Sequence, residues 1–254
     1  MSNKLSKEES LLIVSKIRDL VNAYKRGELG GEFMPEDSNP GLDKNSRLNY
    51  LFFTLPMALN YQRNSYKLWE NAQKTFLDDE VKDVFLPEKV VEMSEEELRF
   101  KLIKHKVAIQ PNKQPEIWRT ISNTLKTHYK CDVRELFTES SHSVKDLLNT
   151  VQKKYKKGFP YLSGNKICNY WLYIMDQYTE ASLKDKEFLN IAPDTHIIQS
   201  SIKLGVIDEN SLSASQIQKE TAVRWREILK DTEFAPIDMH TPLWLWSRSD
   251  FAEI

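Results

Sequence analysis

The residues best suited to chemistry in this chain are a lysine and an aspartate, Lys166 and Asp194, separated by an apolar segment. Lys166 falls in the first turn of a predicted helix, directly after the turn-forming stretch Phe159-Pro160-Tyr161-Leu162-Ser163-Gly164-Asn165. A helix N-terminus carries partial positive charge, so it disfavours an ammonium and should lower the pKa of a lysine placed there. An amine nucleophile benefits from such a position; a frayed, solvated lysine is the plain alternative. Asp194 follows Pro193 and precedes a helical run, which is the preferred place of an N-capping carboxylate. The same carboxylate could stabilise a cationic transition state or shuttle a proton beside a reactive amine. The pairing of the two across a hairpin, a helix, a loop and a second helix says more than either residue alone.

The elements that must position this pair are helical. Ser6 and Glu9 form a capping-box pattern, and Ile13, Val14, Ile17, Leu20, Val21 and Tyr24 mark one face of a helix ending near Gly27. Residues 28–45 read as a loop, with Pro35, Asp37, Asn39, Pro40 and Gly41 as turn formers. Ser46 could cap a nearly all-apolar helix that Pro56 kinks or ends. After the polar loop Gln62-Arg63-Asn64-Ser65, helical spacing resumes through Leu68, Trp69, Ala72 and Phe76. Ser94 and Glu97 suggest another cap. Residues 110–115 read as a loop before Ile117, Trp118, Ile121, Leu125 and His128, and Val144 to Tyr155 continue the pattern. Next come a short hairpin over 158–165, the helix carrying Lys166, and a helix from Asp194 to Gly205. Two more helices lie beyond it, around Trp225 and from Thr241 to Ala252. Trp244 and Trp246 stand two apart and cannot both face the core of one helix, which leaves one of them for function. No run alternates long enough for a strand, so the expected class is all-α with roughly ten helices, without an internal repeat or a separating linker.

Composition agrees. The 254 residues include only 7 glycines, and the one adjacent pair, Gly30-Gly31, sits in no phosphate-loop pattern. Nucleotide-binding α/β enzymes are thereby disfavoured. The net charge of −1 conceals an asymmetry: Leu147 to Met175 holds five lysines and no acid, which leaves −6 on the rest. A basic segment on a neutral chain suits a polyanion, although solvated lysines are common on helices. Two cysteines without a Cys/His cluster suggest neither a disulfide framework nor zinc. The polar N-terminus and the absence of a long apolar run suggest a soluble, intracellular protein with no membrane partner.

The hairpin, the helix opening with lysine, and the Asp194-Thr195-His196-Ile197 segment resemble the helix-hairpin-helix DNA glycosylases of the endonuclease III superfamily. Within it, the chain is most similar to the archaeal GO glycosylases, which are N-glycosylase/DNA lyases acting on 8-oxoguanine. Ser46-Arg47-Leu48, Trp69 and Thr241-Pro242-Leu243-Trp244-Leu245-Trp246-Ser247-Arg248 carry the likeness further, and it runs in order from Ser46 onward. The resemblance implies a single all-α, two-lobed bundle over 1–254 with a cleft between the lobes. Lobe A would span about 46–178 with the hairpin at 158–165, and lobe B about 1–45 plus 179–254. It also implies base-excision repair of duplex DNA by a monomer, in the cytoplasm at the nucleoid, without cofactor or metal. Lys166 would attack C1′ of a flipped nucleoside and form a Schiff base, and Asp194 would stabilise positive charge on the sugar. Tyr170 and Trp244 would sandwich the base, and Trp69 would line the same pocket. Gln62, Arg63 and Asn64 would fill the vacated stack, while Lys153, Lys154, Lys156, Lys157, Gly164 and Asn165 would hold phosphates.

The sequence also departs from the family. Its hairpin replaces the usual Leu-Pro-Gly-Val-Gly with Phe159-Pro160-Tyr161-Leu162-Ser163-Gly164, so the first glycine is missing. The archaeal enzymes place a base-reading lysine where Tyr173 stands and an aspartate where His240 stands, and their base-reading glutamine has no clear match near Gly41. The catalytic pair is kept while the base-reading set is changed, so the expectation is glycosylase chemistry, with an oxidised purine such as 8-oxoguanine as the expected base. The same fold acting on RNA or a nucleoside, or a nucleic-acid-binding module without chemistry, are the alternatives.

Overall fold

The computed structural model describes residues 5–29, 34–208 and 213–253; Met1 to Lys4 of the polar N-terminus and the Gly30-Gly31 pair lie outside them. The described residues form twelve α-helices: α1 (Lys7–Lys25), α2 (Arg47–Thr54), α3 (Ser65–Leu77), α4 (Pro87–Val90), α5 (Glu95–Lys104), α6 (Lys113–His128), α7 (Val133–Glu139), α8 (Val144–Asn149), α9 (Asn165–Tyr178), α10 (Thr195–Lys203), α11 (Ala214–Leu229) and α12 (His240–Arg248). Among them there is no strand, only an isolated bridge between Ser143 and Lys184. The all-α expectation holds. No helix of the described residues is long and apolar enough to cross a membrane. The chain divides into two compact units, one of Phe33–Asp185 and the other of Met1–Glu32 with Lys186–Ile254.

In the first unit α2 is the centre. Ser46 accepts a hydrogen bond from the Asn49 amide and starts the helix, and Pro56 opens a 3-10 turn, Pro56–Leu59, directly beyond its end. Every residue from Asn49 to Thr54 is buried, as an all-round apolar helix requires. Phe52 alone meets the rings of Phe53, Trp69, Phe76 and Phe85 at 5.2–5.7 Å. Helix α6 begins earlier than its loop-like sequence suggests. Pro115 fits the first turn because its missing N–H would have had no partner there. Gln114 Oε1 accepts from the amides of Ile109 and Gln110 at 2.6 and 3.1 Å, which fastens the preceding loop.

In the second unit α1 packs its Ile13, Val14, Ile17, Leu20 and Val21 face on α11 and α12, and α10 lies along α12. The Ser6–Glu9 capping box is formed. Helix α12 is shorter than expected, because Asp250 and Phe251 take left-handed φ values of 52° and 57° and end it. The returning chain puts Phe251 at 4.9 Å from Trp246, whose Nε1 donates to Ala252 O at 3.0 Å. Trp244 and Trp246 are thus both buried, which corrects the expectation that their spacing must leave one outside. The helix face turned away from the core found a cover in its own C-terminal tail.

Candidate active site

Lys166 is the second residue of α9. That helix is firmly held behind it, with Cys168, Asn169 and all of Trp171 to Met175 buried. Trp171 Nε1 donates to Thr54 Oγ1 of α2 at 3.1 Å, and Asn49 Nδ2 donates to Tyr178 O at 2.9 Å. Burying several large apolar side chains at about 1.5–3 kcal/mol each fixes the helix in place. Lys166 itself is exposed, and among the described residues it has no ion-pair partner. A rigid helix therefore presents a free amine.

The segment before it is compact, with no β-hairpin. Helix α8 continues through a π-helical turn, Thr150–Lys154, and a 3-10 turn, Lys156–Gly158. Ser163 N donates to Phe159 O at 2.9 Å and Gly164 N to Tyr161 O at 2.9 Å, with Tyr161 left-handed at φ 60°. Gly164 caps α9 with an ordinary extended backbone, and Asn165 O accepts from Asn169 Nδ2 at 2.7 Å. Lys153, Lys156 and Lys157 are exposed. Lys154 pairs with Glu139 at 3.1 Å and lies 4.8 Å from the centre of the Tyr155 ring.

Tyr170 and Tyr173, one turn apart on α9, stack with ring centres 6.1 Å apart. Trp69 is fully buried among Phe52 and Phe53, so its indole is part of the core. Its Nε1 donates at 2.9 Å to a carboxyl that the sequence did not single out, that of Glu36. Glu36 lies in a 3-10 turn, Pro35–Asp37, and has no exposed surface. Burial pushes its carboxyl up to about 7, against opposing hydrogen bonds from its own backbone, Tyr170 and Trp69. Burial and the neighbouring Glu36 together hold the Tyr170 phenol far above its usual range. Next to them, Tyr178 Oη donates to Asp37 Oδ1 at 2.8 Å. Trp69 and Tyr170 are thus brought to one buried acid, and Tyr173 stacks on Tyr170. The sequence signal was a turn containing Pro35 and Asp37, which gives no hint that the residue between them is inside.

The loop between the Pro56–Leu59 turn and α3 carries the remaining expected contacts of this unit. Gln62 is exposed and left-handed, at φ 51°. Arg63 turns inward and donates to Val107 O at 2.7 Å and Lys106 O at 3.2 Å, and burial lowers its guanidinium to about 10. Asn64 caps α3 through the Lys67 amide at 3.1 Å. Two of the three residues therefore brace the loop.

Asp194 belongs to the other unit. It is the N-cap of α10, and its Oδ1 accepts from the Ile197 amide at 2.9 Å. Beside it, His196 Nδ1 lies 3.1 Å from Ser247 Oγ, and its ring meets Trp244 edge-on at 5.3 Å. The Arg248 guanidinium stands 5.0 Å over the Trp244 ring. His240, the first residue of α12, is buried. Among the described residues no group of three or more His, Cys, Asp or Glu side chains is placed to hold a metal ion. Cys131 and Cys168 are free and buried, and burial raises both thiols.

Compared with known proteins, the chain matches no family model and no curated sequence.

Proposed function

We propose that this chain is a DNA N-glycosylase with lyase activity, acting as a monomer on duplex DNA that holds a damaged base, an oxidised purine such as 8-oxoguanine. The observation that carries the reading is Lys166: an exposed amine without an ion-pair partner among the described residues, set on a rigid helix directly after an acid-free, lysine-rich turn. In this reading α8, the turn and α9 serve as the helix-hairpin-helix element, and Lys153, Lys156 and Lys157 take phosphates. The base leaves the stack at a cost of a few kcal/mol, and the resemblance assigns its recognition to Tyr170, Tyr173, Trp244 and His240.

The lone pair of the Lys166 nitrogen forms a bond to C1′ as the glycosidic bond breaks. The base departs with the bonding electron pair and takes up a proton. By the resemblance, offsetting the positive charge that develops on the sugar is the role that would fall to Asp194. The nitrogen then loses a proton and the sugar ring opens, giving an imine, from which β-elimination cuts the strand.

Borohydride reduces that imine to a stable amine, so mixing the parent with lesion-bearing or abasic duplex should leave a covalent complex. Lys166→Ala is expected to lose it by at least about a hundredfold, as for removal of a nucleophile. Equal trapping by Lys166→Ala overturns the assignment. Asp194→Asn separates the two roles of the aspartate, because Asn caps a helix as well as Asp. Unchanged thermal stability with base release slowed by about 10²-fold or more is expected; unchanged release would leave Asp194 a cap alone.

A further inference from the structure

Three loop tips of the Phe33–Asp185 unit converge on one patch, and each turns on a left-handed residue that is not glycine: Gln62 at φ 51°, Lys106 at φ 59° and Tyr161 at φ 60°. Such backbone is strained and persists where surrounding structure holds it. Arg63 ties the first tip to the second through the carbonyls of Lys106 and Val107. The first tip meets the third through Tyr61 and Tyr161, whose ring centres are 5.4 Å apart at 58°. Lys113, the first residue of α6, places its Nζ 5.1 Å from the centre of the Tyr161 ring.

Tyr61 is 51% exposed. The chain around the patch has one sign of charge. Residues 60–66, 105–115 and 152–166 together hold eight lysines and arginines and no acid, which leaves −9 on the remainder of a chain whose net charge is −1. An aromatic pair, with Tyr61 exposed and Tyr161 partly so, set among cations matches the chemistry of a nucleotide: a π-face to stack and a phosphate to neutralise.

We propose that Tyr61 and Tyr161 form a stacking platform for an unpaired base of duplex DNA, with Lys113 neutralising its phosphate. The inference rests on the nucleic-acid reading above and moves the stacking contact from the polar Gln62-Arg63-Asn64 tip to the aromatic residue before it. Arg63 and Asn64 are occupied as braces of the loop, and Gln62 turns the tip beside Tyr61, whose ring lies against Tyr161 and is half exposed.

The test uses the full chain and two duplexes of one sequence, one fully paired and one with 2-aminopurine facing a stable abasic analogue. Parent binding to the second duplex should quench the 2-aminopurine by stacking. Tyr61→Ala is expected to lose that quenching and about tenfold in affinity for the abasic duplex, with binding to the paired duplex and its salt dependence unchanged. Tyr61→Phe should restore both. Because Tyr61 is half exposed, its truncation leaves the core intact, and an unchanged circular dichroism spectrum checks this. Quenching and affinity that persist in Tyr61→Ala overturn the platform while leaving Lys166 trapping untouched. A parent that binds neither duplex overturns the platform and the nucleic-acid reading together, and leaves the patch to a protein partner.

Discussion

Glu36 is a carboxyl with no exposed surface, one hydrogen bond from Trp69 and phenols around it, so its charged form is the unfavourable one. A group raised to about 7 in the folded chain, against an ordinary value near 4.5, binds its proton more tightly when folded. The stability this supplies is complete below about pH 4.5 and is lost as the pH climbs through 7. A shift of this size corresponds to roughly 3 kcal/mol. Denaturant unfolding followed by tryptophan fluorescence should show the parent weakening between pH 5 and 8 by an amount of that order. Glu36→Gln keeps an acceptor for the Trp69 indole and has no proton to lose, so its stability should change less over the same interval. Parallel loss in both proteins would show that Glu36 is not the group responsible. The contrast with Lys166 and Asp194 explains what could be read from sequence. Those two are marked by their immediate neighbours, a turn and a proline, whereas Glu36 is defined by Trp69 and Tyr170, which only folding brings to it.

At the scale of elements, legibility follows locality too. Ser6, Ser46, Ser94 and Asp194 each accept the amide hydrogen bond that their spacing anticipates, because a cap involves three or four consecutive residues. Helices α4 and α7 escape such a reading, being short and held by tertiary packing of Val90, Val133, Leu136 and Phe137. The turn before α9 escapes it for another reason: its shape depends on α6. The Thr124 hydroxyl lies 2.9 Å from the carbonyl oxygen of Gly158, and a Cβ added to Gly158 would fall 2.5 Å from Thr124 Oγ1 and 2.9 Å from Cγ2. Thr124 is β-branched and on a helix, so it cannot swing away cheaply. Gly158→Ala should therefore destabilise the protein by about 1–3 kcal/mol, as overpacking does. Adding Thr124→Ala opens the space, so the two changes together should cost less than their sum. A Gly158→Ala protein as stable as the parent would mean that the turn moves freely off α6, and that Gly158 is not what sets its path into α9.

Over the whole molecule, charge is the property that sequence shows only in part. The total of −1 follows from composition, and the acid-free run from Leu147 to Met175 is visible in order. What the fold adds is the joining of that run to two other acid-free loops through Tyr161, Lys113 and Arg63. Cations gathered this way release counterions when they meet phosphates, and log K then falls with log salt by about 0.9 per phosphate neutralised on duplex DNA. Lys156 and Lys157 are exposed and in no ion pair among the described residues, whereas Lys154 already faces Glu139 at 3.1 Å. On the proposed function, replacing Lys156 and Lys157 together by Gln should weaken duplex binding equally for all sequences and lower the salt slope by nearly two. Lys154→Gln should lower it less, because its charge is partly spent within the protein. Titrating a fluorescent duplex at several salt concentrations measures both. A slope that stays the same in the double variant would mean that these lysines are solvent-facing charges, and that the acid-free face does not lie on the phosphates.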